Sequence, residues 1–208
     1  MTVPSNSFTD GFGALAPGVR LPEGATAGNW TAIWDGGGSI VSGSGPTPSL
    51  LLAPAVATSP SSTHSTLVAS VPRFGDTDLT MTLRTTTQLR QGSLPNPWEV
   101  AWAVWHYTDN QHFYYLILKP NGWELGKEDP AYPGAQRFLR TGSDRTFPVG
   151  SWHNVHVTQT GGSITVAVDG APLTTFVDQE RPYLQGSIAL YCEDSAVEFG
   201  AITASGRL

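Results

Sequence analysis

Alternation of apolar and polar residues recurs down this chain, and no stretch of helical period is long enough to compete with it. In DLTMTLRTT, Leu79, Met81 and Leu83 fall on one face and Thr80, Thr82 and Arg84 on the other. WHNVHVTQ sets Val155 and Val157 against Asn154 and His156. SITVAVDGAPLTTF turns Ile164, Val166 and Val168 inward and then reaches Asp169-Gly170, a two-residue hairpin signal. Successive side chains of a strand point to opposite faces, so period two marks a half-buried strand. The runs SLLLAPAV, STLVASV, GSIALYC and AVEFGAIT supply further short apolar segments, separated by glycine-rich turns at 36–38, 43–46, 121–122 and 161–162. Many short strands with such turns predict an all-β fold, a two-sheet antiparallel β-sandwich. The Ser/Pro/Thr-rich segment 43–66 is the expected long loop, and 1–208 reads as a single domain.

Composition narrows the function. A chain of 208 residues buries a substantial core without disulfides or a structural metal, and 10% aromatic residues are not those of a disordered chain. A net charge of −6 argues against nucleic acid, which demands a basic footprint. The lone cysteine, Cys192, excludes an internal disulfide and a cysteine-based zinc cluster, and its apolar surroundings read as those of a buried inert thiol. No run approaches the ~18 apolar residues of a membrane span. The segment MTVPSNSFTDGFG lacks the basic-then-apolar order of a signal peptide.

One region departs from this sparsely charged background. Between positions 122 and 145, eight of twenty-four residues are charged, in a chain where 13% are. Three tryptophans (98, 102, 105) and three tyrosines (107, 114, 115) lie just upstream. WEVAWAVWHY, HFYYLILK and WELGKED read as a three-strand meander turning at TDNQ and PNG. Strand parity groups Trp102 with Val100 and Val104, and Trp105 with Glu99 and Tyr107. Aromatic rings beside carboxylates and guanidinium groups suit a sugar, whose C–H face stacks while its hydroxyls bond to charged side chains. On that reading Trp105, Tyr115 and Trp123 offer ring surfaces. Lys127, Asp129, Tyr132, Gln136 and Arg137 are candidate substrate-binding residues, several of them in the proline-stiffened loop PAYPGAQR. Glu124 and Glu128 share a strand face and are the acid/base candidates, with His106 as an alternative base. Four residues apart along a strand is about 13 Å, too far for the two to act as a pair, so Glu99 or a residue of a neighbouring strand is the expected partner. The plainer reading makes the aromatics core and the charges a solvated edge.

From Trp98 onward the order VWHY, FYYLIL, GWELGK, FPVGSWHNVHV, ITVAVDG, GSIALYCEDSAVEFGAIT resembles the concanavalin-like jelly-roll superfamily. The nearest resemblance is to laminin-G-like modules and to the 3-keto-disaccharide hydrolase or family-16-like glycosidase domains. FTDGFG and GNWTAIWDGGGSIVSG resemble the opening of the same group. The resemblance implies a jelly roll with a glycan cleft on its concave sheet, a carbohydrate ligand, and a monomer that is secreted or cell-surface. The expected activity is glycoside hydrolysis, with a polysaccharide lyase or a non-catalytic binding module as alternatives. The E-x-D-x-x-E strand of family-16 glycanases is absent, so their catalytic pair has no counterpart here. Many such jelly rolls hold Ca²⁺; Asp10 and Glu198 are the candidate ligands, although VEFGA puts Gly200 and Ala201 where relatives show Asp-Asn.

Overall fold

The computed structural model of the chain describes residues 5–207 and consists almost wholly of strands. In chain order these are β1 (Ser5–Asp10), β2 (Thr26–Ala27), β3 (Trp30–Trp34), β4 (Ser39–Ser42), β5 (Leu50–Ala53), β6 (Ser65–Phe74), β7 (Asp76–Gln88) and β8 (Ala101–Asp109). There follow β9 (His112–Lys119), β10 (Gly122–Glu128), β11 (Gln136–Gly142), β12 (His153–Thr160), β13 (Ser163–Val168), β14 (Ala171–Val177), β15 (Gly186–Glu193) and β16 (Ser195–Arg207). A single 3₁₀ turn, Pro133–Ala135, shapes the PAYPG loop. The segment expected to be one long loop, 43–66, contains β5 and the start of β6.

The strands form two antiparallel sheets. The back sheet runs β14-β13-β12-β7-β16-β5-β4, with β1 also on β16, and the front sheet runs β11-β10-β9-β8-β15-β6-β3-β2. Leu79, Met81, Val155, Val157, Ile164 and Val166 of the back sheet pack against Trp105, Tyr114, Leu116, Leu125, Ile188 and Leu190 of the front sheet. The Asp169-Gly170 turn has φ of 54° and 76°, the two left-handed residues that a type I′ hairpin requires.

The sheets differ on their outer faces. The back sheet is polar there, as the alternation of β7 and β12 requires. The front sheet carries a second apolar cluster built on Leu67, Trp102, Val104, Phe113, Tyr115 and Ile117, with Trp34 and Tyr191 at its border. The cluster residues are themselves buried, so this face is a second packed layer and not an open apolar patch.

A bulge in β8 sorts its aromatics. Ser187 pairs with Tyr107 and Ala189 with Val104, so Trp105 and His106 together oppose one residue of β15. His106 takes φ 51°, and Gly186 lets the bulge approach: a Cβ at Gly186 would lie 2.2 Å from the His106 carbonyl carbon. Consequently Trp105 and His106 both turn into the sandwich, and Tyr107 returns to the outer face. Trp105, expected as a sugar platform, is 0% exposed, stacks on Tyr114 and donates from Nε1 to Gln159 at 2.7 Å. Trp123 is likewise core, its Nε1 donating to Asp144. His106 lies inside with Thr77 and the Gly75 and Tyr183 carbonyls around its ring, and burial pushes its pKa down. None of the three reaches the outer face.

The charges of β10 are divided by the same alternation. Glu124 and Glu128 point outward, while Lys127 points inward and is 0% exposed. Its Nζ donates to Asp178 at 2.8 Å and to the Glu180 carbonyl at 2.7 Å, 3.5 Å from Asp129. Arg137 donates to Asp178 and Glu180, Arg181 to Asp129, and Tyr132 to Glu180. Burial works against ionisation of Asp178, but the Lys127 and Tyr114 hydrogen bonds outweigh it and hold the carboxyl below its usual range. Lys127, Asp129, Tyr132 and Arg137 thus clasp the front-sheet edge to the 178–183 loop.

Candidate functional site

The outward aromatics of the front sheet form a row across four strands. The Trp102 ring lies 4.9 Å from Tyr115 on β9 and 5.0 Å from Tyr191 on β15, and Tyr191 lies 6.5 Å from Trp34 on β3. Above this floor sits a hollow of about 510 Å³, within the usual size of a ligand pocket. Trp102, Ile117 and Phe138 line it, Trp98 stands 44% exposed at its side, and Glu124, Glu128 and Glu193 enter it.

Each carboxylate has a different setting. Glu124 accepts from the Tyr115 hydroxyl at 2.9 Å and from the Lys119 ammonium at 3.0 Å, and Gln136 donates to the same tyrosine oxygen at 2.8 Å. Burial, then the Glu124 charge, push the Tyr115 phenol far above its ordinary range, so it is a donor and not a base. Glu128 has no counter-ion among the described residues. Burial, reinforced by the Glu193 charge, pushes it up to about 7. Glu193 accepts from the Tyr191 hydroxyl at 2.7 Å and is also pushed up by burial, with Asp194 and Glu99 adding to the effect.

Gly126 makes the Glu124 arrangement possible. It pairs with Tyr115 across the strands, and a Cβ there would lie 2.2 Å from the tyrosine oxygen. The ring lies flat over the glycine and so reaches Glu124 and Gln136. Gly126→Ala is expected to displace a ring already packed on Trp102. It should destabilise by about 1–3 kcal/mol as an overpacking change, read as a lower midpoint in thermal unfolding.

Behind the hollow, Arg90 holds its two walls together. Its Nε donates to Glu99 at 2.6 Å, its Nη2 to Asp194 at 2.5 Å, and its Nη1 to the Ser59 and Ser62 carbonyls. Asn96 also donates to Glu99. Glu99 follows Trp98 and Asp194 follows Glu193, so one buried guanidinium fixes the segments carrying both.

Of the residues expected at the site, Glu124, Glu128 and Gln136 line this hollow, whereas Tyr115, expected as a stacking platform, is 0% exposed and reaches it only through its hydrogen bonds to Glu124 and Gln136. Trp102, Tyr191, Glu193, Lys119 and Trp34 were not singled out from sequence. For Tyr191 and Glu193 a signal existed: they stand two apart at the end of β15, opposite in parity to buried Cys192. A hollow of similar size, about 560 Å³, lies against Asp76, Thr77, Asp78 and Arg207 at the back sheet. It carries no aromatic ring, and the front-face hollow is the better candidate because stacking surface and carboxylates coincide there.

The residues expected to hold calcium are engaged by protein donors. Both Asp10 oxygens already accept, from Phe12 N at 2.6 Å and from Asn29 and Trp30 at 3.0 Å each. Glu198 is held by Arg84 and Ser49. No group of three or more His, Cys, Asp or Glu side chains gathers around a common point among the described residues.

The sequence matches the family described as 3-keto-alpha-glucoside-1,2-lyase-like domain over residues 19–204. No curated protein matches it. Among solved structures it is similar in fold to the carbohydrate binding module CBM66 from Bacillus subtilis (TM-score 0.59, 11% identity, 83% of this chain and 92% of that one). It is also similar to a Bacillus licheniformis beta-glucanase (TM-score 0.58, 13% identity, 97% and 98%). A third is a Bacteroides ovatus mixed-linkage glucan GH16 protein in complex with a product (TM-score 0.58, 11% identity, 97% and 99%). Such low identities speak to the fold alone.

Proposed function

Taking as premise that the chain belongs to the 3-keto-alpha-glucoside-1,2-lyase-like domain family, we propose that it cleaves glycosidic bonds on the outer face of its front sheet. The observation that carries this is the convergence of unlike carboxylates on an aromatic floor. Glu128, without a counter-ion and pushed up to about 7, is held in the range where a carboxyl donates and accepts protons at neutral pH. Glu124, fixed by a phenol and an ammonium, is a positioned acceptor for a sugar hydroxyl. Trp98, 44% exposed, with the edge of Trp102 and Phe138, gives the apolar side of a sugar its stacking surface. A binding module needs that floor but has no use for a carboxyl tuned to neutrality, and this favours the enzyme.

In this scheme protonated Glu128 delivers its proton to the leaving oxygen. Activity therefore falls as pH rises through about 7. The sign of the coupling follows: Glu193 raises the Glu128 value, so Glu193→Gln should move the alkaline limb of kcat/KM to lower pH. An unmoved limb in that variant would detach Glu128 from the limb. The substrate is sought with a panel of neutral and uronate-containing oligosaccharides together with 3-keto-α-glucosides, the last chosen from the family description. New reducing ends report hydrolysis, and absorbance of an unsaturated sugar reports elimination.

A further inference from the structure

The back sheet carries a feature that the front-face chemistry does not use. Its outer face is polar, yet Trp152, just before β12, leaves 43% of its surface exposed there. Beside the ring is a separate hollow of about 350 Å³ bounded by Thr82, Ser49, Gly200 and Ala201. The hollow has a backbone cause. Phe199 pairs with Leu83 and Ile202 with Met81, so Gly200 and Ala201 together oppose the single residue Thr82 in a bulge. A Cβ at Gly200 would lie 2.3 Å from the Thr82 hydroxyl and 3.5 Å from the Trp152 ring. The glycine therefore keeps the floor low beneath the tryptophan.

The chemistry around the ring is charge-balanced. Arg84 covers Trp152 with its guanidinium carbon 4.9 Å from the ring centre, and donates through Nε to Glu198 at 2.8 Å. Glu198 in turn accepts from Ser49 at 2.6 Å. With the two charges satisfying each other, the site asks no charge of its ligand. It offers an exposed aromatic surface with the Thr47 and Thr82 hydroxyls at its edge, Ser49 being committed to Glu198. This suits a sugar's C–H face and one or two of its hydroxyls. An apolar aromatic ligand would use the ring and leave both threonine hydroxyls unpaired.

We propose that Trp152 and the Gly200 bulge form a second carbohydrate contact, on the opposite side of the sandwich from the cleft, taking one or two uncharged sugar rings of a chain. The test follows the seven tryptophan indole N–H signals of the ¹⁵N-labelled protein during titration with cellotetraose, laminaritetraose, maltotetraose and xylotetraose. Trp152→Phe assigns the signal. It is expected to move saturably with at least one tetrasaccharide, and to do so equally in Glu124→Gln. Trp152→Ala should abolish binding at this face while leaving any Trp98 and Trp102 response intact. A Trp152 signal that stays still with all four sugars overturns the proposal. So does one that moves only with free indole, which would make the hollow an aromatic-ligand site. Silence of Trp98 and Trp102 bears on the front face alone, so the two readings fail separately.

Discussion

Arg90→Met is expected to destabilise the protein by about 3–5 kcal/mol, the usual cost of removing one partner from a buried ion network. Arg90 touches two carboxylates, Glu99 and Asp194, whose side chains are both 0% exposed, and its own side chain is 3% exposed. Methionine fills most of the volume, so the loss is electrostatic and not a cavity. What remains is two unpaired buried charges, helped only by neutral donors such as Asn96 and the His64 backbone N–H. At roughly 2–4 °C per kcal/mol for a chain of this size, the melting temperature should fall by about 6–20 °C. The double variant Arg90→Met/Glu99→Gln should recover part of it, because one orphaned charge is gone. A single variant that melts within a degree or two of the parent would show that the network contributes little. The same change should loosen the cleft even where the protein stays folded, since Trp98 and Glu193 ride on the segments that Arg90 ties.

How much of this was legible beforehand depends on the range of the interaction. The sandwich was readable because period two is a local property: Leu79, Met81 and Leu83 announce their face without reference to any partner. The three-strand meander and the Asp169-Gly170 hairpin were readable for the same reason. Trp105 was misplaced because parity says which residues share a face and not which face is the core. The His106 bulge then breaks the parity, and its cause is Gly186, eighty positions away. Lys127 looked like a cleft residue because its partner, Asp178, is fifty-one positions downstream. The pairing of Glu124 with Tyr115 was within reach, since Gly126 opposite a tyrosine leaves room for the ring. Glu193 was missed because the apolar run before it was read as ending at Cys192.

These corrections also answer why a sparsely charged chain gathers charges beside its aromatics. Three of the eight, Lys127, Asp129 and Arg137, face inward or along the edge and fasten the front sheet to the 178–183 loop. Two more, Glu124 and Glu128, face the hollow. A single strand supplies both because its neighbours alternate, so the edge that is clasped is also the edge that carries the carboxylates.

The second large effect concerns Glu128. Glu128→Gln keeps the shape and the half-buried position of the side chain and removes only the titrating proton. Folding should be unaffected or improved slightly, because a carboxyl that burial and Glu193 disfavour as an anion is replaced by a neutral amide. Turnover should fall by roughly 10²–10⁴-fold, the usual contribution of general acid–base catalysis. Glu124→Gln has a different signature, since it loosens Tyr115 and Lys119 as well and should weaken binding along with turnover. The most direct measurement is therefore kcat and ligand affinity of Glu128→Gln beside the parent protein, on the first oligosaccharide of the panel that is turned over. The account predicts a fall in kcat of that size with affinity kept within a few-fold. Undiminished turnover in the variant, or tight binding across the panel with no bond cleaved by the parent protein, would contradict it and leave the front face a binding surface.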